Sequence, residues 1–218
     1  QVHGALGLRE DIAVMDVGAA CAGFLYALEV ARGLLLANGG KYAMVIGAEQ
    51  MSFLQDMTDR GVCVLFGDGA GAAIFELEAD AEYVSVQGSR GDLAITVGGP
   101  QRKAFMQMDG QAVFRFATTI LPKCAQDLLA KGGKTMEDVD WVVCHQANER
   151  ILASSIRRLG APAEKFYKNL DRFANTSAAS IPLALAEMKE SGKLEKGQRV
   201  IMCGFGGGLT WAGVMMTV

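Results

Sequence analysis

Histidine is nearly absent: 218 residues contain 2. A histidine-rich metal centre is thereby excluded, and any imidazole chemistry falls on His3 or His145. Proline is scarce as well, at 4 against 27 glycines. That balance argues for close backbone approaches and tight packing rather than linkers. The 5 cysteines, at 21, 63, 124, 144 and 203, form no CxxC pair. Zinc ribbons and thioredoxin-like sites are unsupported, no metal site is expected, and a reducing, cytoplasmic compartment is the expected setting. Positive charge is not in excess: 21 Lys and Arg against 24 Asp and Glu give −3. A basic nucleic-acid surface and a polybasic membrane patch are therefore not expected. The start, Gln1-Val2-His3-Gly4, shows neither a basic nor an apolar signal region. It also lacks Met, so the expectation is a mature fragment or a segment of something longer.

What is present is apolar material: 50% of residues are hydrophobic and mean hydropathy is +0.21. That supports a sizeable core and excludes a disordered chain. At about 150 residues per domain, the length fits one large domain or two halves. Val200 to Val218 carries no charge but is broken by five glycines. It reads as strand, glycine turn and strand rather than a membrane span. Strands are expected at Ile12–Val17, Tyr42–Gly47, Val62–Phe66, Ala72–Phe75, Trp141–Cys144 and Arg199–Cys203. Helices are expected at Cys21–Ala37, at Gln111–Ala130 with a bend at Pro122, after His145-Gln146-Ala147-Asn148 to about Leu159, and from Asn175 to Gly192. A polar stretch, Gly88 to Lys103, interrupts the pattern.

The sequence repeats itself. CAGFLYALEVARGLL…KYAMVIGAE after Cys21 parallels NTSAASIPLALAEMKESG…QRVIMCGFG from Asn175. Each is a polar residue at a helix start, an apolar helix, a glycine stop and a buried strand. Alternating strands and helices argue for α/β architecture with a mostly parallel sheet. If the halves pack about a pseudo-twofold axis, Cys21 and Asn175 come close together.

Cys21 follows a Gly/Ala-rich turn at a helix start, where the macrodipole favours the thiolate. It reads as a nucleophile or as a buried structural cysteine. Cys63, Cys124, Cys144 and Cys203 read as packing residues. His145 ends a strand at the edge where α/β proteins build sites, and is the one credible histidine. Asn175 is an N-cap or the partner of Cys21. Arg150, Arg157 and Arg158 share a helix face at spacings of seven and eight, either as a solvated face or as the docking face for an acidic partner. Gly67-x-Gly69-x-x-Ala72 and Gly204-x-Gly206-x-x-Leu209 lack the following elements of a nucleotide loop.

Seven segments in order complete a pattern: DVGAACAGFLYAL around Cys21, TDRG at Thr58, FGDGAGAA at Phe66, MDGQAVFRFA at Met108, HQAN at His145, NTSAASIPLAL at Asn175 and GFGGGLTW at Gly204. Together they resemble the β-ketoacyl-[acyl-carrier-protein] synthase III family, the initiating condensing enzymes of fatty acid synthesis. The resemblance implies a thiolase-like α/β fold of two pseudo-repeated βαβ halves, with mixed sheets in a layered arrangement. Residues 1–90 would hold the nucleophile and 91–218 the His and Asn. Cys21 would carry the acyl group from acyl-CoA, with the N–H groups of Cys21 and Gly207 as oxyanion hole. His145 and Asn175 would bind the thioester carbonyl of malonyl-acyl carrier protein. Arg60, Gly110 and Asn148 would contact CoA or pantetheine. Met51 and Phe66 would shape the acyl pocket, and Arg150, Arg157 and Arg158 would meet the carrier protein. The resemblance implies a homodimer without cofactor or metal, CoA thioester being the substrate, and no nucleic-acid or membrane partner. Elongating synthases use Cys-His-His, whereas Asn175 fills the third place here. Other thiolase-fold acyltransfer, or mere binding of a partner protein, are the alternatives. The chain departs from the family in three ways: its first elements are missing, Gly91–Met108 is short, and Ala174 replaces a glycine.

Overall fold

The last two strands show how the apolar sequence is used. In β7 (Arg199–Gly206), Ile201, Cys203 and Phe205 enter one core and Val200 and Met202 another. A strand with both faces covered needs this near-continuous apolar run. β7 pairs in parallel with β6 (Trp141–Cys144) and antiparallel with β8 (Gly208–Thr217). β8 pairs antiparallel with β3 (Tyr83–Asp92), giving the order β3-β8-β7-β6. The structure, a computed structural model, describes residues 1–97 and 105–218.

Helices α3 (Gly110–Gly132) and α4 (Glu149–Leu159) cover one face of this sheet. Helices α2 (Gly23–Asn38) and α6 (Ser180–Glu190) cover the other. Against the far side of α2 and α6 lies a second antiparallel pair, β1 (Tyr42–Glu49) and β2 (Gly69–Glu76). The layers therefore run helix, sheet, helix, sheet. β2 approaches α6 closely, because a Cβ on Gly71 would sit 2.8 Å from the backbone nitrogen of Leu183. A short pair, β4 (Ile95–Thr96) with β5 (Gln107–Met108), and two short helices, α1 (Val2–Ala5) and α5 (Leu170–Phe173), complete the described elements.

The repeat is visible in space. A 3-10 turn leads into α2 and then β1, and another leads into α6 and then β7. The α/β class and mixed sheets are as expected, but among the described residues β6–β7 is the one parallel pairing between strands, so the sheet is not mostly parallel. Ile12–Val17 forms no strand; no described strand lies beside it to complete a ladder, and Val14 and Met15 are exposed. Val62–Leu65 folds as turns closed by bonds such as Cys63 N–H to Asp59 O, Phe66 makes an isolated parallel bridge to Asn175, and the glycines at 69 and 71 lie inside β2. The polar stretch from Gly88 begins inside β3, where the absent side chain makes room for the Trp211 ring. β3 also crosses residue 90. Residues 98–104 fall outside the described residues, and with them much of the short Gly91–Met108 segment.

Helix α3 continues through Pro122. Proline lacks the N–H that would bond the carbonyl four residues back. That carbonyl, on Thr118, is instead taken by Arg158 Nη1 at 2.7 Å. The helix around Ala20–Asn38 is long and apolar enough to cross a membrane by length and composition, yet Phe24, Leu25 and Leu28 are core residues. Val200–Val218 forms β7 and β8.

A Gly71→Ala change should push β2 off α6 and lower stability by about 1–3 kcal/mol. Denaturant unfolding measures this, and an unchanged midpoint would contradict the packing.

Candidate active site

Cys21 is the middle residue of the 3-10 turn Ala20–Ala22, so it opens helix α2 as expected. The preceding Ala20 has φ 47°, a conformation that turns the chain sharply just before Cys21. The GFGGG turn presses against it from β7. A Cβ on Gly206 would lie 2.5 Å from the Cys21 nitrogen, and Thr210 Oγ1 donates to Ala19 O at 3.0 Å.

His145 follows β6, and its backbone N–H bonds Cys203 O at 2.8 Å. Its ring stands edge-on to Phe205, 5.6 Å between centroids, and its Nδ1 lies 2.7 Å from Ser180 Oγ. Gln146 beside it is buried and ties the strand to the 167–169 segment through Tyr167 O and the Asn169 N–H.

Asn175 is held by its backbone between Leu65 O and the Gly67 N–H, each at 3.0 Å. Its side-chain Oδ1 accepts the Ser177 N–H at 2.9 Å, which leaves the amide Nδ2 as the outward donor. Asn175 does not itself open the helix: the 3-10 turn begins at Ser177 and α6 at Ser180, so its Oδ1 braces the turn that leads into them. Ala174 carries φ 58° and ψ −158°, a region that suits glycine.

Cys21, His145 and Asn175 line one cavity of about 540 Å³. Gly207, Met51, Phe66, Gly110, Asn148 and Arg150 line it too. Asn148 caps α4, its Oδ1 accepting the Arg150 N–H at 2.8 Å. Arg60, Arg157 and Arg158 are not among the lining residues. Arg60 is exposed within turns stapled by Asp56 and Asp59. Arg157 is exposed on α4, and Arg158 turns away to bond α3. Glu49, Ile95, Phe205 and Ser177 also line the cavity and were not anticipated, nor was Ser180 behind His145. The serines of NTSAAS, spaced three apart at a helix start, were the available signal. The other cysteines are packing residues where buried: 124, 144 and 203 are, whereas Cys63 is half-buried in a turn. No cluster of metal-ligating side chains occurs among the described residues.

The electrostatics differ from the sequence expectation. Burial pushes the Cys21 thiol up to about 11, against the pull of the Ser177 hydroxyl, with Glu49 raising it further. Desolvation of the half-buried sulfur and the nearby Glu49 thus favour the thiol over the thiolate, against the helix N-terminus. Burial also holds His145 down to about 3, so the imidazole is neutral across the physiological range. Glu49 is itself shifted upward by burial, with the Ser177 hydroxyl and the Ala178 N–H opposing.

Alkylation of Cys21 should therefore rise about tenfold per pH unit through the alkaline range, because the thiolate is the nucleophile. Peptide mapping of iodoacetamide-treated protein separates Cys21 from Cys63; a plateau near neutrality would contradict the raised thiol. An Ala174→Gly change should stabilise the protein by about 1 kcal/mol by relieving the positive φ, read as a higher unfolding midpoint.

The chain matches two family models described as 3-oxoacyl-[acyl-carrier-protein (ACP)] synthase III, over residues 15–90, and its C-terminal part, over residues 129–218. It is 42% identical to a β-ketoacyl-[acyl-carrier-protein] synthase III of Clostridium perfringens, with 92% of this chain and 67% of that protein covered. Against the synthase III of Rhizorhabdus wittichii the identity is 42%, covering 96% and 68%. The crystal structure of the Aquifex aeolicus synthase III superposes with a TM-score of 0.93 at 36% identity, covering all of this chain and 70% of that one. The architecture is therefore thiolase-like, and the chain spans about two thirds of the length of these relatives. It belongs to the 3-oxoacyl-[acyl-carrier-protein] synthase III family.

Proposed function

We propose that the chain carries the site of a decarboxylative condensation that joins an acyl-CoA primer to malonyl-acyl carrier protein, initiating fatty acid synthesis. The observation that carries this reading is that Cys21, His145 and Asn175 converge on one cavity from separate elements. Family membership supports the same activity.

Cys21 attacks the thioester carbonyl of acyl-CoA; the carbon–sulfur bond to CoA breaks and the thiol proton leaves with CoA. The N–H groups of Cys21 and Gly207 receive the charge that forms on the carbonyl oxygen. Malonyl-carrier protein then occupies the cavity. Its carbon–carboxylate bond breaks, CO₂ leaves, and the electron pair forms an enolate. His145 and the Asn175 amide donate to the enolate oxygen, where charge develops. The enolate carbon attacks the acyl-Cys21 carbonyl, and the Cys21 sulfur leaves and regains a proton. Each step uses side chains and backbone alone, which is why no cofactor or metal is proposed.

Met51 and Phe66 are assigned to the acyl pocket and Asn148 and Gly110 to the pantetheine arm by resemblance, supported by their all lining the same cavity. Arg150, exposed and lining the cavity, is assigned to an acidic carrier protein, with Arg157 on the same helix and Arg158 anchored to α3. Arg60 is assigned to CoA by resemblance. Residues 1–90 and 91–218 are taken as the two halves, and a homodimer in the cytoplasm as the working form.

The reading separates two partial reactions. A Cys21→Ser protein should form no acyl-enzyme with acetyl-CoA by intact mass. His145→Ala and Asn175→Ala should still be acylated but lose malonyl decarboxylation by roughly 10²–10³-fold each, the usual cost of removing one oxyanion donor. Loss of acylation with decarboxylation kept would reverse the assigned roles, and acylation of the Cys21→Ser protein would sink the nucleophile.

A further inference from the structure

A neutral imidazole can present either a proton or a lone pair at Nε2, and what sits at Nδ1 decides which. Here Nδ1 of His145 lies 2.7 Å from Oγ of Ser180, the first residue of α6. Both residues are buried, with 1% and 2% exposure, so water does not compete. Ser180 Oγ accepts the Gln146 N–H at 3.3 Å and lies 2.9 Å from Ser177 O. The hydroxyl has one proton and two candidate acceptors. Ser177 O also accepts the backbone N–H of Ser180 and so stays hydrogen-bonded when the hydroxyl turns to Nδ1. The 2.7 Å separation also fits an O–H donor, whereas an N–H donor settles at about 2.9–3.0 Å.

We propose that Ser180 is the positioning residue of the site: its hydroxyl donates to Nδ1 of His145 and so fixes the ring proton on Nε2, away from α6. The ring then works as a hydrogen-bond donor without carrying charge. Asn175 is treated in the same way by the same turn, because the Ser177 N–H holds its Oδ1 and leaves Nδ2 to donate. Residues 177–180 thus orient both donors on which the condensation relies. Without Ser180 the ring can take its other tautomer and turn a lone pair toward the developing enolate oxygen, where it repels. This inference rests on the proposed condensation for its consequence, but the tautomer is a property of the resting protein.

The test is nitrogen-15 NMR of the histidine-labelled chain at neutral pH, using a His3→Gln background so that one ring remains. The expected result is protonated Nε2 and bare Nδ1 in the otherwise wild-type protein, and a shift toward protonated Nδ1 in Ser180→Ala. Malonyl decarboxylation by Ser180→Ala should fall by about 10–100-fold, as when the partner behind a metal-bound histidine is removed. Acylation of Cys21 should be unchanged, and Ser180→Thr, which keeps the hydroxyl, should restore the tautomer and the decarboxylation. A protonated Nδ1 in the wild-type ring overturns the proposal. So does a Ser180→Ala protein with the wild-type tautomer and an equal loss in both partial reactions. If Ser180→Ala does not fold, the wild-type spectrum alone decides. A wild-type chain that is never acylated would overturn the condensation reading and leave the tautomer to the spectrum.

Discussion

Two backbone hydrogen bonds hold Asn175 between Leu65 and Gly67, and the rest of the site depends on them. They join the loop before β2 to the segment before α6, so the two halves of the repeat meet at the residue that presents an amide to the cavity. The approach is close: a Cβ on Gly67 would sit 2.6 Å from Phe173 O. On the opposite wall the GFGGG turn does the same for Cys21. Net gains of about 1 kcal/mol per hydrogen bond are modest for the fold. Their greater effect is on position, since donors misplaced by a fraction of an ångström lose most of their value in a charge-stabilising site.

The same burial that makes the cavity an effective electrostatic environment removes charge from its residues. The thiol of Cys21 is held protonated and the ring of His145 neutral. In the proposed condensation, reactivity would therefore come from orientation, with N–H groups and amide and imidazole donors held ready rather than charged. A chain rich in glycine and poor in proline is suited to this. Its backbone segments pack at distances that side chains would prevent, and the donors of the site are largely backbone or backbone-clamped groups.

Much of this was legible in the sequence. The repeat around Cys21 and Asn175 foretold two equivalent helix starts, and the apolar runs at 141–144 and 199–206 foretold two-faced strands. Periodicity misread Val62–Phe66, because its apolar residues serve turns wrapped around Asn175 rather than a ladder. It misread Ile12–Val17, since strand propensity without a neighbouring strand makes no strand. Among site residues, the upward push on the Cys21 thiol was not legible, because a helix terminus is visible in sequence and desolvation is not. The bond from Arg158 to the carbonyl freed by Pro122, 36 residues away, was not legible because the two can only be matched in space. Glu49, Ser177 and Ser180 went unremarked, being ordinary residues whose significance lies in what they touch.

The central claim is that Cys21 carries the acyl group at the meeting point of the two halves. A crystal structure of the protein soaked with acetyl-CoA tests it most directly. The account predicts a thioester on Cys21 Sγ, its carbonyl oxygen directed at the nitrogens of Cys21 and Gly207, and His145 and Asn175 facing the remaining cavity. An acyl group on another residue, or a thioester oxygen turned toward His145 and Asn175 instead, would contradict it.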